Sequence, residues 1–166
     1  MNQESRARKV VRGMLLVFAA AVPLVPKSLL AQAGPYSYFA VTPCRAYDTR
    51  NGSTLTLGVI AAGEVRTFTL KGTCGIPTDA KAASLNLTVV SPTGAGDLRI
   101  APTGTAFPNV STSNYRYQEN LANGAIVPLN AAVNPPTADI QVLGAMCCAA
   151  PPLVYHLVID VTGYFK

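Results

Sequence analysis

From Leu153 to Phe165 the chain reads LVYHLVIDVTGYF, the longest uninterrupted strand signal it contains. Leu153, Tyr155, Leu157, Ile159, Val161 and Phe165 fall on alternate positions, with His156, Asp160 and Thr162 among the residues between them. A period of two sends successive side chains to opposite faces, so one face of this strand is apolar throughout. Val154, Val158 and Tyr164 make the second face partly apolar too. Such a strand must be flanked by other strands and covered by a second layer, which makes it the expected centre of the core.

The rest of the chain supplies candidates for that cover. Strands are predicted at 36–42, ended by Pro43, at 64–70, at 83–91 and at 97–101, and three more at 111–118, 125–129 and 139–143. The clearest of them is 83–91, where Leu85, Leu87 and Val89 alternate with Asn86 and Thr88. Residues 53–62 read as a loop or weak strand. Residues 75–82 read as a loop with one helical turn capped by Thr78. Turn signals separate the segments: Asn51-Gly52, Pro-Thr-Gly at 92–94 and again at 102–104, Asn123-Gly124, and Asn134-Pro135-Pro136. No segment sustains a helical period. Eight or nine short strands in a chain with 13 glycines and 13 prolines imply an all-β fold, an antiparallel β-sandwich or jelly roll.

Residues 1–33 have the composition of a secretory signal peptide. Arg6, Arg8, Lys9 and Arg12 precede an apolar run over 13–25, and Ala31-Gln32-Ala33 offers a cleavage site. Pro23, Pro26 and Lys27 interrupt the apolar run short of the roughly 20 residues a membrane span needs. Residues 34–166 are then a single domain, with no membrane association once the signal is cut. Five of the 13 basic residues and one of the 8 acidic residues lie before position 34, which leaves eight and seven over residues 34–166. The basic character therefore belongs to the export segment and gives no support to a nucleic-acid partner. The charged share of the domain is about half the usual one, so its surface is largely neutral.

Export makes the four cysteines candidates for disulfides. Three connectivities are possible. Cys44 and Cys74 each lie beside turn residues at an expected strand edge, which favours their pairing. Adjacent Cys147 and Cys148 can form a vicinal disulfide, link chains, or stay as small apolar groups.

Few residues suggest chemistry. His156 is the only histidine, no nucleophile, zinc or phosphate-loop motif occurs, and neither a cofactor nor a metal site is expected. A hydrolase would have to use Asp48, His156 and Asp160. Arg45, Asp48 and Arg50 are dense charge in a charge-poor chain, and an ion-pair cluster with Asp160 locking the first segment to the last strand is the expected role. Tyr115 and Tyr117, two apart, would share one strand face, as a sugar-stacking platform if exposed and as core if covered. Tyr36, Tyr38 and Phe39 put apolar groups on both faces of the first strand. Such a strand has to fold back on its own domain or insert into a second copy.

Several landmarks occur in a fixed order: Pro43-Cys44-Arg45-Ala46-Tyr47-Asp48-Thr49-Arg50, Gly72-Thr73-Cys74-Gly75-Ile76-Pro77, Leu85-Asn86-Leu87-Thr88-Val89-Val90, Ala122 to Leu129, and Ile159-Asp160-Val161-Thr162-Gly163-Tyr164-Phe165. The series resembles a family of bacterial secreted β-domains marked by an Asp-Thr-Arg near the start and an Asp-Val-x-Gly-Tyr-Phe ending. The resemblance implies an exported domain, alone or attached to larger surface proteins, with Cys44 bonded to Cys74. It implies no activity. Leu121, where that pattern has a basic residue, and Cys147-Cys148 depart from it. Neutral surface and apolar 145–152 loop together point to an extracellular structural or adhesive protein whose partner is itself, assembling as a filament or coat by strand exchange. A carbohydrate-binding module contacting surface glycans is the alternative, and a hydrolase the third.

Overall fold

The computed structural model describes residues 34–51, 57–131 and 138–166. Residues 1–33, where a signal segment is expected, Gly52 and the Asn134-Pro135-Pro136 separator lie outside them. Among the described residues there is no helix. The strands are β1 (Tyr38–Asp48), β2 (Ile60–Ala61), β3 (Val65–Phe68), β4 (Ala82–Val90), β5 (Ala95–Pro102), β6 (Ser113–Tyr115), β7 (Leu121–Pro128), β8 (Ile140–Cys147) and β9 (Val154–Phe165).

They form two antiparallel sheets, ordered β1-β9-β4-β7 and β3-β8-β5-β6, with β2 beside β9. Leaving out the two-residue β2, the first strand pairs with the last, the second with the second-last, and so inward to β5 with β6. That nesting is one long antiparallel ribbon rolled into two layers, a jelly roll.

β9 lies between β1 and β4, at the centre as expected. Tyr155, Leu157, Ile159 and Val161 are fully buried, facing Leu85, Leu87 and Val89 along the sheet and Phe68, Leu98, Ile140 and Val142 in the same core. The alternation does not run to the end, however. The register with β4 shifts between Ser84 and Leu85, which face Gly163 and Val161 and leave Thr162 as the extra residue. A bulge reverses the phase of the strand beyond it. Tyr164, not Phe165, therefore packs against the core, while Phe165 turns outward onto the exposed Tyr38 ring, 5.2 Å between centroids.

Gly144 of β8 shows how tightly the layers meet. A Cβ there would run into the ring of buried Tyr155 from the other sheet. Gly144→Ala is accordingly expected to destabilise the fold by about 1–3 kcal/mol through overpacking. Thermal denaturation checks this, and an unchanged melting temperature would mean the ring has room to move.

Other turn and strand expectations need correction. β1 does not stop at Pro43 but runs on to Asp48, because the bulge between Ala40 and Cys44 puts the proline where no ladder hydrogen bond is needed. Asn123-Gly124 is not a turn: it lies inside β7, opposite Leu87 and Asn86. The helical turn expected near Thr78 is a β-turn closed by Ala80 N–H on Pro77 C=O at 3.1 Å. Within β3, buried Arg66 shares the inward side with Phe68. It does so at the sandwich margin, donating to the Gly58 and Val59 carbonyls and to Glu64.

Candidate functional site

The densest chemistry lies where β1 meets β9. Their register sets Arg45 opposite Asp160 and Asp48 opposite Val158. Arg45 grips Asp160 through both carboxylate oxygens, Nε to Oδ1 at 2.8 Å and Nη2 to Oδ2 at 3.2 Å, and reaches Asp48 at 3.5 Å. Arg50 holds the same Asp48 from the other side, Nε at 2.8 Å and Nη2 at 2.6 Å, and its backbone N–H adds a third bond at 3.1 Å. Sequence analysis named all four residues, and the fold joins them in one chain of ion pairs. Arginine suits this role because its planar fork matches a carboxylate at two points.

The Arg50 hydrogen bonds hold the nearly buried Asp48 carboxyl well below its ordinary range, at about 2. A carboxylate whose pKa is lower folded than unfolded adds stability that is complete above the unfolded value near 4, and that fades as pH falls toward the folded one. Denaturation midpoints followed from neutral pH down to about 2 should therefore decline in the acid limb. Asp48→Asn should flatten that limb, and an identical acid decline in the variant would remove Asp48 from the account.

Sequence reasoning missed Thr49. Its side chain is fully buried between the two aspartate-bearing strands. Its hydroxyl accepts the Leu157 N–H at 2.9 Å and meets His156 Nδ1 at 3.2 Å, while its backbone N–H donates to Leu157 C=O. The Asp-Thr-Arg triplet was the available signal: a small β-branched hydroxyl between two charges suits a residue that must be buried and still satisfy polar groups. At the far end of the seam, Tyr38 donates to Thr162 C=O at 3.1 Å and lies over Gly163, where a Cβ would strike its ring. Phe39 stacks on Tyr164 at 5.2 Å. The two end motifs are thus the two halves of one seam that ties the start of the domain to its last strand.

Below the seam, Cys44 is bonded to Cys74, with S–S 2.06 Å and Cα–Cα 5.6 Å. An open recess of about 580 Å³ lies on the outer face, lined by Pro43, Cys44, Arg45, Asn86, Asp160 and Thr162. Its charged groups are already engaged with one another.

Of the hydrolase candidates, Asp48 and Asp160 share the one partner Arg45, and His156 meets a hydroxyl instead of a carboxylate. His156 bonds Thr49, Asp48 is held by Arg50 and Arg45, and Asp160 by Arg45. Four positions apart on one strand, His156 and Asp160 stand roughly 13 Å apart, well outside proton-transfer reach. The tyrosine platform does not form either. β6 ends at Tyr115, which is buried against Tyr155 at 6.1 Å, and the chain then turns at Arg116 to Glu119, leaving Tyr117 exposed. Burial raises the Tyr115 hydroxyl to about 12, as befits a core residue. Tyr36, Tyr38 and Phe39 belong to a segment folded back on its own domain, where Ser37 and Lys166 exchange backbone hydrogen bonds at 2.9 and 3.1 Å. Among the described residues no group of acidic, cysteine or histidine side chains is arranged to hold a metal ion, and no helix is long and apolar enough to cross a membrane.

No protein-family model matches this chain, and no curated protein matches it either. Among solved structures, the coat protein dimer of Tobacco streak virus aligns over 80% of this chain and 89% of its own, at 12% identity and a TM-score of 0.36.

Proposed function

We propose that this chain is an exported, non-enzymatic structural protein that associates with a second copy of itself by pairing β7 with β7 at the edge of the larger sheet. The observation that carries this reading is β7 itself. Its eight residues, LANGAIVP, contain no charge, keep an unbroken register with β4 from Ala82↔Pro128 to Val89↔Leu121, and are mostly exposed. Ile126 is 65% exposed.

An edge strand offers a row of unpaired N–H and C=O groups, and monomeric proteins usually guard it with charge, proline or a bulge. The opposite edge of this sheet has all three. β1 carries Pro43, Arg45 and two register shifts. β7 has a proline only at its last position. Two β7 strands related by a two-fold axis run antiparallel, present the same surface to each other and close at a dimer. Segment 34–42 is already paired within its own domain, so β7 replaces it as the edge on offer, and a closed pair replaces the expected filament.

The disulfide between Cys44 and Cys74 supports an oxidising compartment. The engagement of Asp48 and Asp160 by arginines and of His156 by Thr49 supports a non-catalytic role. Sedimentation velocity across a range of protein concentrations tests the reading. The protein should shift from monomer to dimer with little response to salt, since the pairing strands are neutral. Exposed Ile126 changed to lysine, Ile126→Lys, should stay monomeric, because a charged lysine on an edge strand guards it against pairing. A wild type that is monomeric throughout, or a variant that dimerises equally well, would overturn it.

A further inference from the structure

We infer that the vicinal Cys147–Cys148 disulfide is a thiol-exchange site, a reversible clasp on the β8–β9 connection rather than a structural cross-link. The two sulfurs are bonded, both residues are exposed, and they are neighbours in sequence with Cα atoms 3.8 Å apart. A disulfide stabilises mainly by closing a loop in the unfolded chain, and the effect shrinks with the loop. Cys44–Cys74 spans 30 positions, whereas Cys147–Cys148 spans one and restricts the unfolded chain very little. Global stability is therefore no reason for the second bond.

Its effect is local. β8 ends at Cys147, which pairs with Ala95, and the next residue, Cys148, has φ +68°, a region costly to a side chain with a Cβ. On the other leg, Thr93 anchors the chain. Its hydroxyl donates to Pro152 C=O at 2.8 Å and accepts the Val154 N–H at 2.8 Å. Between Cys147 and Pro152, the disulfide is the clamp the structure provides. The segment it holds forms one wall of an open recess of about 580 Å³, with Cys148, Ala149, Ala150 and Pro152 facing the exposed Tyr117 and with Thr93 beside them. Opening the bond lets Cys148 leave the left-handed region and takes that wall apart.

The chemistry balances with a dithiol as reductant. Its thiolate attacks one of the two sulfurs and forms a mixed disulfide, and the other cysteine leaves as thiolate and takes up a proton. The second thiol of the reductant then attacks the mixed disulfide, so it leaves as the cyclic disulfide, two electrons having passed to the protein. Closure runs the exchange backward with a disulfide as oxidant: one cysteine thiolate attacks it and expels a thiol, the neighbouring cysteine attacks the mixed disulfide and expels the second, and Cys148 returns to its left-handed conformation. Exposed disulfides are the readily exchanged ones, and those that close long loops within a fold resist reduction.

The test is native reduction by graded dithiothreitol, quenched with iodoacetamide and mapped by mass spectrometry, on the purified oxidised protein. Cys147 and Cys148 should gain label together at a reductant concentration about ten-fold or more below that which labels Cys44 and Cys74. The label should be lost when the reductant is removed and the protein re-oxidised before quenching. Elastase, which cuts after small residues, should then cleave at Ala149-Ala150 faster in the reduced form, and Cys147→Ser/Cys148→Ser should be cut at that faster rate with or without reductant while melting where the parent does. Reduction of both pairs at one concentration, label at Cys147 and Cys148 without reductant, or a cleavage rate indifferent to reduction would overturn the inference.

Discussion

Ile159→Ala should lower the stability of the fold by about 2–5 kcal/mol, measured as a shift of the urea midpoint at unchanged slope. Ile159 is fully buried at the middle of β9, with Tyr47 of β1 on one side and Leu87 of β4 on the other. Removing its outer carbons loses their transfer free energy and leaves a cavity that two sheets pinned to one another cannot easily fill. A cost under about 1 kcal/mol, the level of an ordinary surface change, would mean that β9 is not the strand the two layers are built around.

Replacing both members of the first disulfide, as Cys44→Ser/Cys74→Ser, should cost about 3–4 kcal/mol by the loop-closure entropy of a bond spanning 30 residues. Because Cys44 follows the bulge of β1, the bond also holds the edge strand to the Thr73–Ile76 turn. The wild type should lose a comparable amount when fully reduced, and the variant should be insensitive to reductant. Equal melting temperatures for variant and oxidised wild type would show that the bond adds nothing to the fold.

Much of the fold could be read from the sequence because its strongest strands obey a period of two with one face apolar. β4 and the first two-thirds of β9 are such strands. The features that could not be read were set by neighbours. The phase of β9 reverses after Val161 because of a bulge whose only sequence trace is Gly163, so Phe165 was assigned to the core face that Tyr164 occupies. Proline ends most strands, yet Pro43, at the bulge of an edge strand, costs no hydrogen bond, and β1 continues through it. Asn-Gly favours a tight turn, but in β7 the pairing with β4 holds it extended.

The candidate site divides in the same way. The ion pairs among Arg45, Asp48, Arg50 and Asp160 were legible because uncompensated charge is rare in this chain and has to find a partner. Thr49 was not, since a buried threonine looks like any other strand residue until its two strands are brought together. Tyr115 and Tyr117 seemed equivalent by spacing, and only the early end of β6 sends one into the core and the other to solvent.

Edge pairing through β7 is most directly tested by hydrogen–deuterium exchange of the wild-type protein at low and high concentration. Amides in Leu121–Pro128 that point away from β4 should exchange more slowly as concentration rises, while those of β1 hold a constant rate. Exchange in β7 that is independent of concentration, or protection that builds up in residues 34–42 instead, would contradict it.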